Sequence, residues 1–293
     1  MIVGSARCGT TSLYYYLKQH PEIGFPDKKE PKFFSSQGVE FPHCGPGDDT
    51  VDDGVIRNRA DYETLFQSLG TYKRIGEASS DYLYHHQHTA KMIRDTVGDI
   101  PILILLRDPV ERAYSAYNNL LRDQREKLSF GEALAAENGR LAKNWDWMWA
   151  YKMGGLYSAQ VETYQSTFSR VKVILFEDLV SDAQLVVKEV LEFLDVDGSK
   201  PINTSDRYSH SGNSKNPVLR WLIQRDNPLT YRLRKLLMSI FTRSILEKLA
   251  SKILKKDVMR DEDRAYLREY FRDDVRKLER LIDQDLSVWK GSV

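Results

Sequence analysis

Near the start of the chain, small and hydroxylated residues surround a single cation in a pattern that suits anion binding. Gly4 and Gly9 bracket a short loop that contains Arg7, with apolar residues before it and a periodic run at 13–17 after it. This order predicts a strand, a glycine loop and a helix. Such a loop directs backbone N–H groups and the positive end of a helix dipole at one phosphate or similar tetrahedral oxyanion. The candidate binding residues are Ser5, Ala6, Arg7, Cys8, Gly9, Thr10, Thr11 and Ser12.

The loop departs from the pattern of nucleotide triphosphatases. That pattern places Lys and then Ser or Thr directly after the second glycine, to hold phosphates and Mg²⁺. Here Thr10 follows Gly9, and the cation lies inside the loop at Arg7. The glycine spacing alone also fits a strand-to-helix turn that binds nothing, so the choice depends on a second element.

The second element follows the most apolar run of the chain, residues 100–106, which predicts a central parallel strand. Arg107 comes directly after it, Pro109 is well placed to open a helix, and Ser115 falls eight residues after Arg107. A guanidinium can fork onto a phosphate, and a hydroxyl near a helix start adds a neutral donor. Alone, the segment also fits a salt-bridged turn.

Strand and helix patterns alternate along the 293 residues. Strands are predicted near 1–3, 74–84, 100–106 and 171–177. Helices are predicted near 13–17, 61–69, 89–96, 141–164, 182–193 and 264–282. The alternation predicts a single α/β domain over 1–293, with a central, mostly parallel sheet flanked by helices. Residues 35–60, rich in Gly, Pro and Asp, are predicted to form a lid-like loop, and residues 217–260 a basic helical insertion.

Overall composition gives no argument for a highly charged partner. Lys and Arg number 43 against 42 Asp and Glu, for a net charge of +1, so nucleic acid is not an expected partner. The basic stretch 217–260 fits a solvated amphipathic helix, and the alternatives are contact with an anionic glycan or with a membrane surface. Two cysteines and no apolar run of about 18 residues predict a cytoplasmic chain as given. The Golgi lumen is the alternative if the N-terminus is truncated.

Residues 3–13 resemble the 5′-phosphosulfate loop of sulfotransferases that use 3′-phosphoadenosine 5′-phosphosulfate (PAPS), most of which have Lys where this chain has Arg7. Arg107 to Ser115 is similar to the 3′-phosphate element of that family. Both elements, each at a strand-to-helix junction, favour a PAPS site. Further similarity, closest to the heparan-sulfate and bacterial carbohydrate type, lies at 76–82, 155–157, 174–179 and 278–289. The resemblance implies a P-loop-like, nucleotide-kinase-like sulfotransferase fold.

The resemblance also implies a reaction, the transfer of a sulfuryl group from PAPS to an acceptor hydroxyl on a carbohydrate or glycoconjugate. It makes Glu30, in a Glu-Pro-Lys-Phe-Phe segment, the leading catalytic base; the alternative is a salt bridge to a lysine at 28, 29 or 32. His85 and His86 are the second candidates, because histidine titrates near neutrality. Arg7 would stabilise charge on the leaving group, although an arginine cannot protonate it.

The remaining assignments rest on the resemblance or stay open. Tyr157 and Lys215 are implied nucleotide contacts, Lys215 in a loop that closes over the nucleotide. No metal is expected, because the histidines at 85, 86 and 88 lack partners at ligand spacing. Aromatic residues such as Trp147 could stack on a sugar or belong to the core. Alternatives are sulfation of a small-molecule or lipid hydroxyl or an amine, a nucleotide kinase, and a non-catalytic nucleotide-binding protein.

Overall fold

In the computed structural model, residues 1–205 and 258–290 are described, together with the short strands at 213–214 and 254–255. Lys215 and nearly all of the basic stretch 217–260 lie outside these residues. The strands are β1 (Ile2–Gly4), β2 (Ile23–Gly24), β3 (Arg74–Ile75), β4 (Ile102–Leu106), β5 (Val171–Leu175), β6 (Asn213–Ser214) and β7 (Leu254–Lys255). The helices are α1 (Thr10–Leu17), α2 (Phe33–Ser36), α3 (Asp48–Asp52), α4 (Arg59–Thr64), α5 (His86–Val97), α6 (Pro109–Arg122), α7 (Phe130–Leu141), α8 (Tyr157–Thr167), α9 (Phe176–Ser181), α10 (Ala183–Phe193), α11 (Asp261–Ile282) and α12 (Ser287–Lys290).

The central sheet is parallel, in the order β1-β4-β5, and a single bridge between Ile2 and Ala78 extends it. All five residues of β4 are buried. Alternate side chains of a strand point to opposite faces. Ile102, Ile104 and Leu106 accordingly join one apolar cluster, and Leu103 and Leu105 join the other. The predicted α/β architecture, with apolar packing on both faces of a parallel sheet, is confirmed.

Helices cover each face. The cluster on one face includes side chains of α5, α6, α8 and α11, and the cluster on the other includes side chains of α1 and α10. Helix α11 buries Leu267, Phe271, Val275 and Leu278, which recur at helical spacing on one side of it. Among the described helices, none is both long enough and apolar enough to cross a membrane.

Three segments differ from their predicted form. The strand predicted at 74–84 is limited to β3 and the bridge at Ala78, after which the chain turns. The helix predicted at 141–164 is wrong over residues 142–156: they form turns and two short 3₁₀ helices, Trp147–Trp149 and Met153–Gly155, and α-helix resumes only at Tyr157 in α8. The predicted lid at 35–60 contains α3, and its Asp48 is buried and accepts hydrogen bonds from the Trp149 indole and from Arg125.

Candidate anion-binding and catalytic site

The loop between β1 and α1 depends on two glycines. Gly4 has φ 154°, and a Cβ there would lie 3.1 Å from the Ser80 carbonyl oxygen and 2.5 Å from the Leu83 Cβ. Gly9 has φ 90°, and its Cβ would lie 2.9 Å from Leu179 and 3.1 Å from the Phe176 ring. Both glycines combine a left-handed backbone with close packing, so no larger residue fits without a shift.

We expect Gly9→Ala to lower stability by roughly 1–3 kcal/mol and to abolish anion binding, because it adds a methyl group at a left-handed position against Leu179. Gly139→Ala is the matched control. A Cβ at Gly139 meets nothing within 4 Å on α7, so this variant should be as stable as the parent or slightly more so. Thermal melting with and without ligand measures both effects. Equal melting of the two variants would show that the loop tolerates the change.

The start of α1 presents unpaired donors. The backbone N–H groups of Thr10, Thr11 and Ser12 have no hydrogen-bond partner in the described chain, as expected for the first turn of a helix. Gly9, the cap residue, provides no side chain to bind them. The three hydroxyl groups also lack described partners. These donors and the helix dipole suit a bound oxyanion.

Arg7 joins the two anion-binding elements directly. It has φ 70°, an uncommon conformation for a residue with a side chain, and its guanidinium extends to α6. There the Nε donates to Ser115 Oγ at 3.1 Å, and an Nη donates to Asn119 Oδ1 at 3.2 Å. A lysine has no planar fork with which to make both contacts.

Three guanidinium groups lie close enough to affect one another. Burial, followed by repulsion from Arg122 and Arg107, lowers the pKa of Arg7 to about 10, and Asp123 opposes this shift. Arg122 shares the Asn119 Oδ1 acceptor with Arg7, at 2.7 Å. Like charges gathered at a buried place cost free energy, which a bound anion relieves. The cluster therefore favours an anionic ligand.

Sequence reasoning missed Asn119 and Arg122. With Ser115 they are spaced four and then three residues apart, so all three lie on the same face of α6. That periodicity, read onward from Ser115, could have identified them.

Arg107 lies at the carboxyl end of β4, beside the loop. Its guanidinium lies over the Phe176 ring, 4.8 Å from the centroid, and the same ring packs against Gly9. Its ion pair with Glu111 spans 3.8 Å, while Glu111 accepts a 2.6 Å hydrogen bond from Arg264. The fork of Arg107 makes no hydrogen bond to the described chain and is free for a ligand.

Asp108 and Pro109 open α6 as predicted, with the Asp108 carboxylate accepting from the Val110 N–H. The carboxylate also pairs with both Nη atoms of Arg268 on α11. Arg112, only 1% exposed, donates to the carbonyl groups of Ala6, Ala150 and Tyr151. Arg112 thus holds the Ala6 carbonyl of the loop in place rather than contacting a ligand.

Several residues that were predicted to bind the nucleotide make contacts within the protein that hold the loop in place. The side chains of Cys8 and Tyr157 are fully buried, with the thiol 3.8 Å from the phenol oxygen. Burial raises the pKa of Cys8 to about 11, so the thiol stays neutral. The backbone N–H of Ser5 donates to Leu105, and the Ala6 carbonyl accepts from Arg112. These groups are occupied within the protein.

Glu30 lies beside the loop, held by the turn that follows Ala78. The Ser80 N–H donates to its carboxylate at 3.0 Å and the Ser80 hydroxyl at 3.1 Å, and Lys29 pairs with it at 2.6 Å. Burial raises the pKa of Glu30, but Lys29, Lys32 and these hydrogen bonds outweigh it and hold the pKa below its usual value. Glu30 has φ 58°, a strained conformation of the kind found at functional sites. A Cβ at Gly4 would lie 3.1 Å from the Ser80 carbonyl oxygen, so the turn that holds Glu30 packs close to the start of the anion loop.

Burial alters the titration of both candidate histidines. Burial, followed by repulsion from His88 and His43, lowers the pKa of His85 to about 3, so its ring is neutral near pH 7. Burial also lowers the pKa of His86, whose Nδ1 lies 2.8 Å from the Thr163 hydroxyl on α8. His85 and His86 therefore stay the second candidates for the base, each with a pKa below its usual value.

One group of residues that sequence reasoning missed could hold a cation. His43, Asp52 and Asp146 each place a ligand atom within 4.8 Å of the others. The His43 Nδ1 already lies 2.6 Å from Asp52 Oδ1. Asp146 Oδ2 stands 3.9 Å from the same nitrogen, so His43 and Asp52 pair with each other and Asp146 lies beside them.

Comparison with known proteins identifies the family of the chain. The profile of the sulfotransferase family matches residues 1–200. The fold is similar to the crystal structure of a sulfotransferase from Alicyclobacillus acidocaldarius, with a TM-score of 0.79 and 36% identity over 99% of this chain and 97% of that chain.

Relatives of known activity are more distant. The membrane-associated sulfotransferase kil1 of Dictyostelium discoideum is 33% identical over 40% of this chain and 22% of its own length. Human carbohydrate sulfotransferase 15 is 27% identical over 67% of this chain and 43% of its own length. The human bifunctional heparan sulfate N-deacetylase/N-sulfotransferase 3 is 25% identical over 67% of this chain and 22% of its own. The chain spans less than half the length of these relatives.

Proposed function

The chain belongs to the sulfotransferase family, and from that premise we propose that it transfers a sulfuryl group from PAPS to a hydroxyl group of a carbohydrate or glycoconjugate. The observation that carries the proposal is the gathering of Arg107 and Arg122 near Arg7, whose guanidinium bonds to Ser115 on α6. The Glu30 carboxylate is held by the neighbouring turn through Ser80. PAPS carries anionic groups at both ends of its ribose, and the site offers donors at two strand-to-helix junctions.

The first task of the site is to hold charge. The unpaired N–H groups of α1 and the Arg7 guanidinium are suited to the 5′-phosphosulfate, and Arg107 and Ser115 to the 3′-phosphate. When the bond between sulfur and the bridging oxygen breaks, that oxygen leaves with the electron pair as part of the 5′-phosphate. Preorganised donors stabilise this growing charge without reorganising. Arg7 acts here as a fixed cation, because a guanidinium does not give up its proton.

The second task is to remove the acceptor proton. An acceptor hydroxyl oxygen attacks sulfur, and Glu30 takes the proton as the new bond to sulfur forms. Because the pKa of Glu30 lies below its usual value, the carboxylate is ionised near pH 7 and ready to accept it. Such a weak base is effective when the hydroxyl becomes strongly acidic in the transition state.

A carbohydrate acceptor is supported by the relatives. Carbohydrate sulfotransferase 15 and the heparan sulfate enzyme are named for such substrates, and each matches 67% of this chain.

The short segment β6, inside the stretch predicted to close over the nucleotide, lies against α6, which carries Ser115. Closure by Lys215 itself remains a prediction.

We expect calorimetric titration to show tight, metal-independent binding of 3′-phosphoadenosine 5′-phosphate (PAP). ATP should bind at least about 100-fold more weakly, because it lacks the 3′-phosphate that Arg107 and Ser115 would hold. Mg²⁺ should not change the PAP affinity. A preference for Mg²⁺-ATP would contradict the proposed donor and favour a kinase-type reaction.

A further inference from the structure

A second guanidinium group lies beside that of Arg7 on helix α6. Arg7 donates from Nε to Ser115 Oγ at 3.1 Å and from an Nη to Asn119 Oδ1 at 3.2 Å. Arg122 donates from its own Nη to the same Asn119 Oδ1 at 2.7 Å. Because both bonds end on one oxygen, the two Nη atoms can be no farther apart than the two bonds laid end to end. Arg7 and Arg122 are therefore close enough to bond to one ligand group or to two adjacent ones.

Both guanidinium groups keep donors that the described chain does not use. Arg7 bonds through Nε and Nη1, which leaves its Nη2 free among the described residues. Arg122 bonds through Nε to Asp123 and through Nη2 to Asn119, which leaves its Nη1. The side chain of Arg122 is 25% exposed, so a ligand can reach it. In the described part of the chain, Asp123 pairs with Arg122 and no carboxylate pairs with Arg7, so an anion that bonds to both would relieve their repulsion.

The order of the cations along α6 indicates which part of PAPS each one meets. Arg107 precedes α6, and Arg122 is its last residue. A helix advances about 1.5 Å per residue, so Arg122 lies roughly 10 Å beyond Ser115. Arg7, bonded to Ser115 and Asn119, lies between Arg107 and Arg122 along the helix. PAPS carries its groups in the order 3′-phosphate, 5′-phosphate and sulfuryl group, so a 3′-phosphate at Arg107 and a 5′-phosphate at Arg7 direct the sulfuryl group toward Arg122.

We propose that Arg122 is a catalytic residue that bonds to the sulfuryl group of PAPS, while Arg7 bonds to the 5′-phosphate. The inference rests on the proposed function, since it takes PAPS as the donor. The acceptor oxygen forms a bond to sulfur, the acceptor proton goes to Glu30, and the bond from sulfur to the bridging oxygen breaks with its electron pair going to the 5′-phosphate. Arg122 gives up no proton. It bonds to the sulfonate oxygens and holds the sulfur in position for attack.

The test compares PAPS with PAP, which lacks the sulfuryl group. Both are titrated by calorimetry, without an acceptor, into the full chain and into Arg122→Met, which removes the guanidinium and keeps a long side chain. We expect Arg122→Met to weaken PAPS binding at least tenfold and PAP binding by no more than about threefold, because a charge-assisted contact to the sulfonate is lost. Arg122→Lys keeps the charge without the planar fork, so it should lose less PAPS affinity than Arg122→Met.

Arg94→Met is the matched control. Arg94 also lies in the last turn of a helix, α5, and pairs with Asp99, so its loss should change neither affinity. Melting curves of the ligand-free variants show that each one folds. Equal losses of PAPS and PAP affinity in Arg122→Met, or an unchanged PAPS affinity, overturn the inference, because neither result fits a contact made to the sulfuryl group. Failure of the parent chain to bind PAP overturns the proposed function instead.

Discussion

Glu30→Gln is expected to lower kcat for sulfuryl transfer by about 10²–10⁴-fold, the usual contribution of a general base. The amide keeps the shape of the side chain and can still accept the hydrogen bond from the Ser80 N–H, but it cannot take a proton. The affinity for PAP should stay within about twofold, because the carboxylate is held by Ser80 and Lys29 and not by the arginine cluster. Steady-state kinetics with PAPS and calorimetry with PAP separate the two effects.

The control for Glu30 is Glu63→Gln, an exposed carboxylate on α4 paired with Arg59. It should change neither kcat nor PAP affinity. Equal losses of turnover and nucleotide affinity in Glu30→Gln would assign the carboxylate to nucleotide binding instead. Unchanged turnover would show that Glu30 takes no part in the reaction and serves only as the ion-pair partner of Lys29.

The parts of the fold that the sequence predicts well are those whose signal is local. A continuous apolar run identified β4, and Asp108 with Pro109 marked the start of α6, because cap chemistry and proline geometry act within a few residues. The loop at Gly4 and Gly9 was recognisable for the same reason. Its glycines mark left-handed positions in the backbone itself.

The parts that escaped prediction depend on contacts between distant segments. Arg7 meets Ser115 and Asn119 only because β1 and β4 are neighbours in the sheet, a pairing that no local pattern specifies. The sequence predicted a strand that continued through residues 79–84, but strand pairing stops at the bridge between Ile2 and Ala78, and the chain turns after it.

Burial changes chemistry in the same non-local way. His85 was a reasonable base by its usual pKa, and burial by tertiary packing lowered that pKa to about 3.

Arg107→Ala is expected to weaken PAP binding by about 100-fold or more. A charge-assisted hydrogen bond contributes about 1.5–3 kcal/mol, and the Arg107 fork can form two to a phosphate. Glu111 offers that fork only a 3.8 Å ion pair and no hydrogen bond, because it accepts a hydrogen bond from Arg264. Arg272→Ala, at a more exposed arginine on α11, is the matched control and should leave PAP affinity unchanged.

The stability of the free protein distinguishes a binding role from a structural one. Arg107 repels Arg7 in the cluster, so its removal should leave the melting temperature of the ligand-free protein unchanged or slightly raised. The rise in melting temperature on adding PAP should fall sharply in the same variant, because ligand stabilisation follows affinity. A lower melting temperature without ligand, with a normal shift on adding PAP, would make Arg107 a structural residue that packs on Phe176. The two measurements together decide whether Arg107 binds an anionic ligand or stabilises the fold.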